Sequence, residues 1–189
     1  MSVSPDSDPS TLIPASVDLI NFTCLDSETS AKVLEWRNHE EVRRWMLRSS
    51  PITKTEHEEF LKLLRHDTTK QYFVVKLQGD AIGVIDFYRI DQDTRSCYFG
   101  YYLRPDKIGS SLGILLEFTV AEHALIGMKL DQLIAETMPD NSSAMKLHES
   151  FGFEPTGTGT SALQESVLTS SIWDVRRHTL VTIIERLTS

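Results

Sequence analysis

The chain has 189 residues, 40% of them hydrophobic and 24% charged, the composition of an ordinary soluble globular protein with enough apolar material for one core. A formal net charge of -8 opposes general affinity for nucleic acid or anionic membrane, because both require a concentrated basic surface. No apolar run can span a bilayer, Met1 to Ser10 is Ser/Pro/Asp-rich rather than basic and then apolar, and Cys24 and Cys97 have neither disulfide-framework nor zinc spacing, so a cytoplasmic, metal-free protein is expected.

Residues 1–16 read as an N-terminal tail with too little hydrophobic content to fold alone, and 17–189 as a single domain. Val17 to Leu25 alternates as a strand does, Asp26-Ser27 starts a helix, and Glu28 to Asn38 continues it. A second short helix is expected over Glu40 to Arg48, where Val42, Trp45 and Met46 share one face, with Pro51 ending it. Thr55-Glu56-His57-Glu58 has the capping-box form, and Phe60, Leu61 and Leu64 supply the buried stripe of a third helix. Three β-branched and aromatic runs follow, Tyr72 to Leu77, Ala81 to Ile90 and Arg95 to Leu103, with polar turns between them, which predicts an antiparallel meander. Leu112, Leu115, Leu116, Val120 and Ala124 then mark an amphipathic helix, Leu133 to Glu136 a strand, and Ser142 to Ser150 a short helix. The segment to about Ser161 is Gly/Thr-rich, and a final hairpin is expected through Trp173 and Leu180 to Leu187.

The most informative feature is the loop Asp106-Lys107-Ile108-Gly109-Ser110-Ser111, which delivers a helix N-terminus. Unpaired amides gathered around a partial positive charge bind phosphate there, although Ser110 or Ser111 can equally serve as a simple cap and Gly109 as a simple turn. The order of parts is more specific. A meander ending in Tyr102-Leu103-Arg104-Pro105, then this loop and helix, a strand, and Asn141-Ser142-Ser143-Ala144-Met145-Lys146-Leu147-His148-Glu149-Ser150-Phe151-Gly152-Phe153 resembles the GNAT acetyltransferases. Their signature Asn-x-x-Ala-x-x-Leu-Tyr-x-x-x-Gly-Phe is matched except at the Tyr, where this chain has His148.

That resemblance implies an α+β sandwich: a mixed, mostly antiparallel sheet of about seven strands flanked by helices. The strands Arg95 to Leu103 and Leu133 to Glu136 would be parallel and splay to admit the pantetheine arm of acetyl-CoA. Residues expected to hold the cofactor are Leu103, Arg104, Gly109, Ser110, Ser111, Leu112, Gly113, Asn141, Ser142 and Lys146. Ser111 stands where the family loop has its first Gly, so it must tolerate close approach of phosphate. His148 is either the acid that protonates the departing CoA thiolate, a task that suits an imidazole of unperturbed pKa about 6.5, or a surface histidine. Glu136 is the expected base, acting directly or through water.

A second similarity narrows the acceptor. Leu34 to Met46, with Glu56-His57, Tyr72-Phe73-Val74-Val75 and Ile82 to Phe87, looks like the branch that acetylates a UDP-linked 4-amino-4,6-dideoxy sugar in pseudaminic acid synthesis. The resemblance implies a small-molecule amine acceptor linked to a nucleotide, with Arg37, Met46, His57 and Tyr102 as candidate contacts; the alternatives are an acetyltransferase of protein amino termini, which shares the CoA signature, and a non-catalytic CoA-binding module. Arg37 can meet phosphate oxygens in a bidentate way, while Met46 and Tyr102 can line an apolar wall for the 6-methyl group. Each has a structural alternative, core packing for Met46 and a satisfied core histidine for His57. The same resemblance is compatible with a homodimer.

Overall fold

In the computed structural model, which describes residues 11–157 and 162–189, seven strands form one sheet in the order β1-β2-β3-β4-β5-β7-β6. The strands are β1 (Val17–Asn21), β2 (Gln71–Leu77), β3 (Asp80–Asp91), β4 (Ser96–Leu103), β5 (Gln132–Thr137), β6 (Glu154–Pro155) and β7 (Gln164–Thr169). Every pairing is antiparallel except that of β4 with β5. Successive side chains point to opposite faces, so the sheet builds two cores. On one face Val75, Ile85, Phe87, Phe99, Leu133 and Ala135 pack with helix α4 (Leu112–Ala121) and helix α6 (Ser170–Thr188). On the other, Val74 and Val84 pack with Phe22, with Val33 of α1 (Ser27–Asn38) and with Leu64 of α3 (Lys54–Leu64). The runs of β2 and β3 are apolar on both faces for this reason.

The meander, the helix after the loop and helix α5 (Ser142–Phe151) lie where the sequence places them. Helix α2 covers only Glu40–Arg43, shorter than the 40–48 expected. Side chains capture the backbone beyond it: Arg37 donates to the Arg48 carbonyl at 2.9 Å, Arg43 to that of Ser49 at 3.0 Å, and Asn38 clamps both polar groups of Ile52. The capping box of α3 is formed by Thr53 with Glu56, two residues before the expected Thr55, because Thr53 sits at the last extended position before the first turn.

The C-terminal segment is a helix rather than the expected hairpin. Thr169 caps it by accepting from Ile172 N, and Trp173, Arg177 and Ile184 recur with helical period on its buried face. Burial decides against the β propensity of its Val, Thr and Ile residues. Trp173 stacks on Phe151 and meets Phe118 edge-on. Its indole and the Arg177 guanidinium both donate to Glu122, which is fully buried in the π-helical extension of α4 (Glu122–Gly127). Leu12 N and Thr11 Oγ1 complete that carboxylate, so residues 11–13 of the expected tail are anchored on the core; residues 1–10 and 158–161 lie outside the described residues.

One opening positions the site. β4 and β5 pair from Ser96↔Gln132 to Phe99↔Ala135 and then part. Beyond that vertex β4 continues to Leu103 against β3, and β5 continues to Thr137 against β7. Arg104 donates its amide to Ile82 O at 2.8 Å, so alternation along β4 turns the backbone polar groups of Tyr101 and Leu103 toward the open edge. Gly83 allows β3 to follow β4 this far, since a Cβ there would lie 2.4 Å from the Tyr102 carbonyl oxygen.

Candidate active site

At the far end of the slot, Arg104 to Ser111 forms a short turn of 3-10 helix and a glycine turn, with Gly109 at φ +84°. Ser110 folds back, its hydroxyl donating to Lys107 O at 2.7 Å. The amides of Gly109, Ser111 and Gly113 have no acceptor among the described residues. They stand at the N-terminus of α4, where orphan amides and the helix dipole favour an anion. Ser111 has φ -69° and makes no capping bond, so the loop conformation does not require glycine there. Helix α5 begins alongside: a Cβ on Gly113 would lie 4.0 Å from Leu147 Cδ2, and Asn141 caps α5 by accepting from Ala144 N at 3.2 Å. Ser142 and Lys146 are exposed on its first turns, and Lys146 makes no ion pair among the described residues. Arg104 is different. Its guanidinium is bound to Asp80, Asp106 and the Ala81 carbonyl at 2.6–3.2 Å, its amide donates to Ile82 O and its carbonyl accepts from Lys107 N, so its polar groups are engaged within the fold.

The sheet face that carries α1 and α3 presents polar groups around the vertex. Asp86 of β3 lies opposite Gly100, the first β4 residue past the parting, and opposite Tyr72 on β2. A Cβ on Gly100 would come within 3.0 Å of Asp86 Oδ1, so glycine makes room for the carboxyl. Asp86 has no hydrogen-bond partner among the described residues, and burial pushes its pKa up to about 7 against the pull of the Arg37 charge. Arg37 donates one nitrogen to Arg48 O, whereas its Nη1 is buried without a partner. Burial lowers the Arg37 pKa, and the neighbouring Tyr102 and Asp86 oppose that shift. Tyr72 and Tyr102 are raised by burial first and the Asp86 charge second. The structure thus brings Arg37 and Tyr102 together and adds Asp86 and Tyr72, which sequence reasoning missed. Only the coincidence of an aspartate and a glycine at paired strand positions could have signalled Asp86.

Glu136 lies on the same face, largely buried, one step from the vertex. Its carboxylate accepts from Tyr88 OH at 3.1 Å and pairs with Arg89 at 3.2 Å. Met46 is partly buried in the turn after α2. His57 is buried between α3 and α1 with its Nε2 3.0 Å from Ser30 Oγ, and burial lowers its pKa. This position matches the core-histidine alternative, with Nε2 held by Ser30.

The opposite face carries His148. Far from being a surface residue, it is 6% exposed, its Nδ1 2.6 Å from Glu117 Oε1, and it lines a cavity of about 590 Å³ with Thr137, Met145, Phe153 and Leu163. Tyr101 donates to the other oxygen of Glu117 at 2.7 Å. Sequence reading places neither Glu117 nor Tyr101 in the site, since each looks like part of an ordinary helix or strand. Among the described residues no cluster of His, Cys, Asp and Glu is suited to a metal ion.

A parallel strand pair that parts beside a helix N-terminus, with polar groups on both faces of the parting, defines a class of acyl-transfer fold. The chain belongs to the GNAT acetyltransferase family, whose acetyltransferase (GNAT) domain matches residues 21–154. It is similar to acetyltransferase PseH of Campylobacter jejuni (strain 81-176), 37% identical over 133 residues that cover 70% of this chain and 82% of that protein. The crystal structure of C. jejuni N-acetyltransferase PseH in complex with acetyl coenzyme A matches with a TM-score of 0.67 at 29% identity, over 81% of this chain and 98% of that one. A spermidine N-acetyltransferase from Vibrio cholerae, at 19% identity and a TM-score of 0.74 over 85% of this chain and 99% of its own, shares the fold. α6 and β7 lie beyond the part matched by the family domain.

Proposed function

We propose that the chain moves the acetyl group of acetyl-CoA directly to the 4-amino group of a UDP-linked amino-dideoxy sugar. The observation that carries the acceptor class is the Arg37 Nη1: a buried guanidinium nitrogen with no partner, beside Tyr102 and Asp86, fits an anionic group of an incoming ligand. The similarity to PseH supports the same class.

In this reading the CoA pyrophosphate sits on the amides of Gly109, Ser111 and Gly113, with Leu112 at the same helix start and Asn141, Ser142 and Lys146 flanking it. The pantetheine arm runs along the open edge of β4 past Leu103 and Tyr101, which brings the thioester to the vertex. An edge amide there donates to the oxygen of the tetrahedral intermediate. The acceptor enters from the face of Arg37, Met46 and Tyr102. Two carboxylates face it. Glu136 has both oxygens occupied by Tyr88 and Arg89, whereas Asp86 has none, so Asp86 is the better proton acceptor and Glu136 orients groups around it. His148 approaches from the other face and protonates the leaving sulfur.

Free-thiol release from acetyl-CoA, measured with UDP-4-amino-4,6-dideoxy-N-acetyl-altrosamine beside spermidine, an N-terminal peptide and a no-acceptor control, tests the assignment. Turnover confined to the sugar nucleotide is expected. Reaction with the peptide alone would replace the acceptor class, and tight acetyl-CoA binding without any turnover would make the chain a binding module.

A further inference from the structure

Three side chains hold the imidazole of His148. Phe99 meets it edge-on at 5.7 Å between ring centroids, and Phe153 packs against it at 5.2 Å. Its Nδ1 is 2.6 Å from the carboxylate of Glu117, a residue of α4 that is 1% exposed and whose only ion-pair partner among the described residues is this histidine. Glu117's second oxygen accepts from Tyr101, whose own pKa is raised well above the usual phenol value, first by burial and then by the Glu117 charge. A carboxylate this deeply buried requires donors on both oxygens. Tyr101 supplies one, and the Nδ1–H of His148 is the group placed to supply the other. The remaining ring nitrogen, Nε2, has no partner among the described residues, and the ring borders the 590 Å³ cavity.

We propose that Glu117 is the positioning residue for leaving-group protonation: it holds His148 with its proton on Nδ1 and directs Nε2 to the departing CoA sulfur. The proposal rests on the acetyl-transfer reading above. As the amine nitrogen bonds to the thioester carbon and the C–S bond breaks, the bond pair goes to sulfur, which takes the proton from Nε2 of the imidazolium. The ring is left neutral with Nδ1–H still on Glu117, and Nε2 regains a proton from solvent through the cavity. The nitrogen's own surplus proton leaves to the base on the opposite face. Where the GNAT signature uses a tyrosine, whose hydroxyl carries its proton unaided, this chain uses an imidazole that must be oriented, and Glu117 supplies the orientation.

Two measurements test it. In the full-length protein with acetyl-CoA bound, ¹⁵N-histidine NMR, with the His148 signals assigned by their loss in His148→Tyr, is expected to show a protonated Nδ1. A ring protonated only at Nε2 would mean that a neutral Glu117 donates to Nδ1, and would overturn the proposal. In steady-state kinetics, Glu117→Gln is expected to lower kcat by about 10–100-fold with the acetyl-CoA KM within about twofold of wild type. In the His148→Tyr background the same substitution is expected to change kcat by less than about threefold, because a tyrosine needs no orienting carboxylate. An equal loss in both backgrounds would show that Glu117 acts through packing alone. Should the wild-type protein turn over no acceptor, the acetyl-transfer reading fails, and the ¹⁵N spectrum still decides whether Glu117 sets the ring.

Discussion

Asp86→Asn separates catalysis from stability at one atom pair. The carboxyl has an ordinary pKa of 3.8 in the unfolded chain and about 7 in the fold, because burial outweighs the attraction of Arg37. A folded-state pKa raised above the unfolded one means that folding disfavours the charged form. Below about pH 4 the group is neutral in both states and folding loses nothing. Between pH 4 and 7 the unfolded chain ionises while the folded one does not, so stability falls steadily, and above pH 7 the loss is constant at about 4 kcal/mol. At pH 5 it is under about 2 kcal/mol by the same arithmetic. Asparagine is neutral throughout, so the stability of the variant relative to wild type should rise by about 3 kcal/mol from pH 5 to pH 8. For a domain of this size that is roughly 6–12 °C in Tm. Chemical denaturation of both proteins at pH 5, 6.5 and 8, without ligands, measures it, and comparing two pH values cancels any packing change the amide introduces. The same variant should lose about 10²–10⁴-fold in thiol release at neutral pH. A stability difference that is flat across pH, or turnover within threefold of wild type, would refute the assignment of Asp86.

Arg37→Lys should raise the KM for the nucleotide sugar by about tenfold or more while leaving that for acetyl-CoA unchanged, since an ammonium cannot both hold the Arg48 carbonyl and present a second nitrogen where Nη1 lies; equal effects on both substrates in steady-state kinetics would contradict the placement. Glu122→Leu removes the acceptor shared by the Arg177 guanidinium, the Trp173 indole and the Leu12 amide, so urea unfolding should show a loss of about 3–5 kcal/mol; a loss under about 1 kcal/mol would contradict that role. Ser111→Gly should change the acetyl-CoA KM by less than about threefold, because the serine has ordinary helical dihedrals and caps nothing. A much lower KM would show that its Cβ crowds the phosphate.

What the sequence determined by itself was whatever depends on local pattern. The period-2 runs of β2 to β4 made the meander legible, the 112–124 stripe identified α4, and Asn141 to Phe153 carried the family, because each is a short segment whose residue spacing is its own signal. The glycine turn before α4 belongs with these, since it is a local arrangement. Only the tertiary structure could decide contacts between segments distant in the chain. α6 resembles a strand until Trp173 and Arg177 meet Glu122, 51 and 55 residues away. Glu117 sits in an apolar helix and becomes part of the site only when α5 delivers His148, 31 residues on. Asp86 acquires its raised pKa, and Arg37 its unpartnered nitrogen, from desolvation by β2, β4 and α1 together, a property of the packed environment that no single stretch of sequence contains.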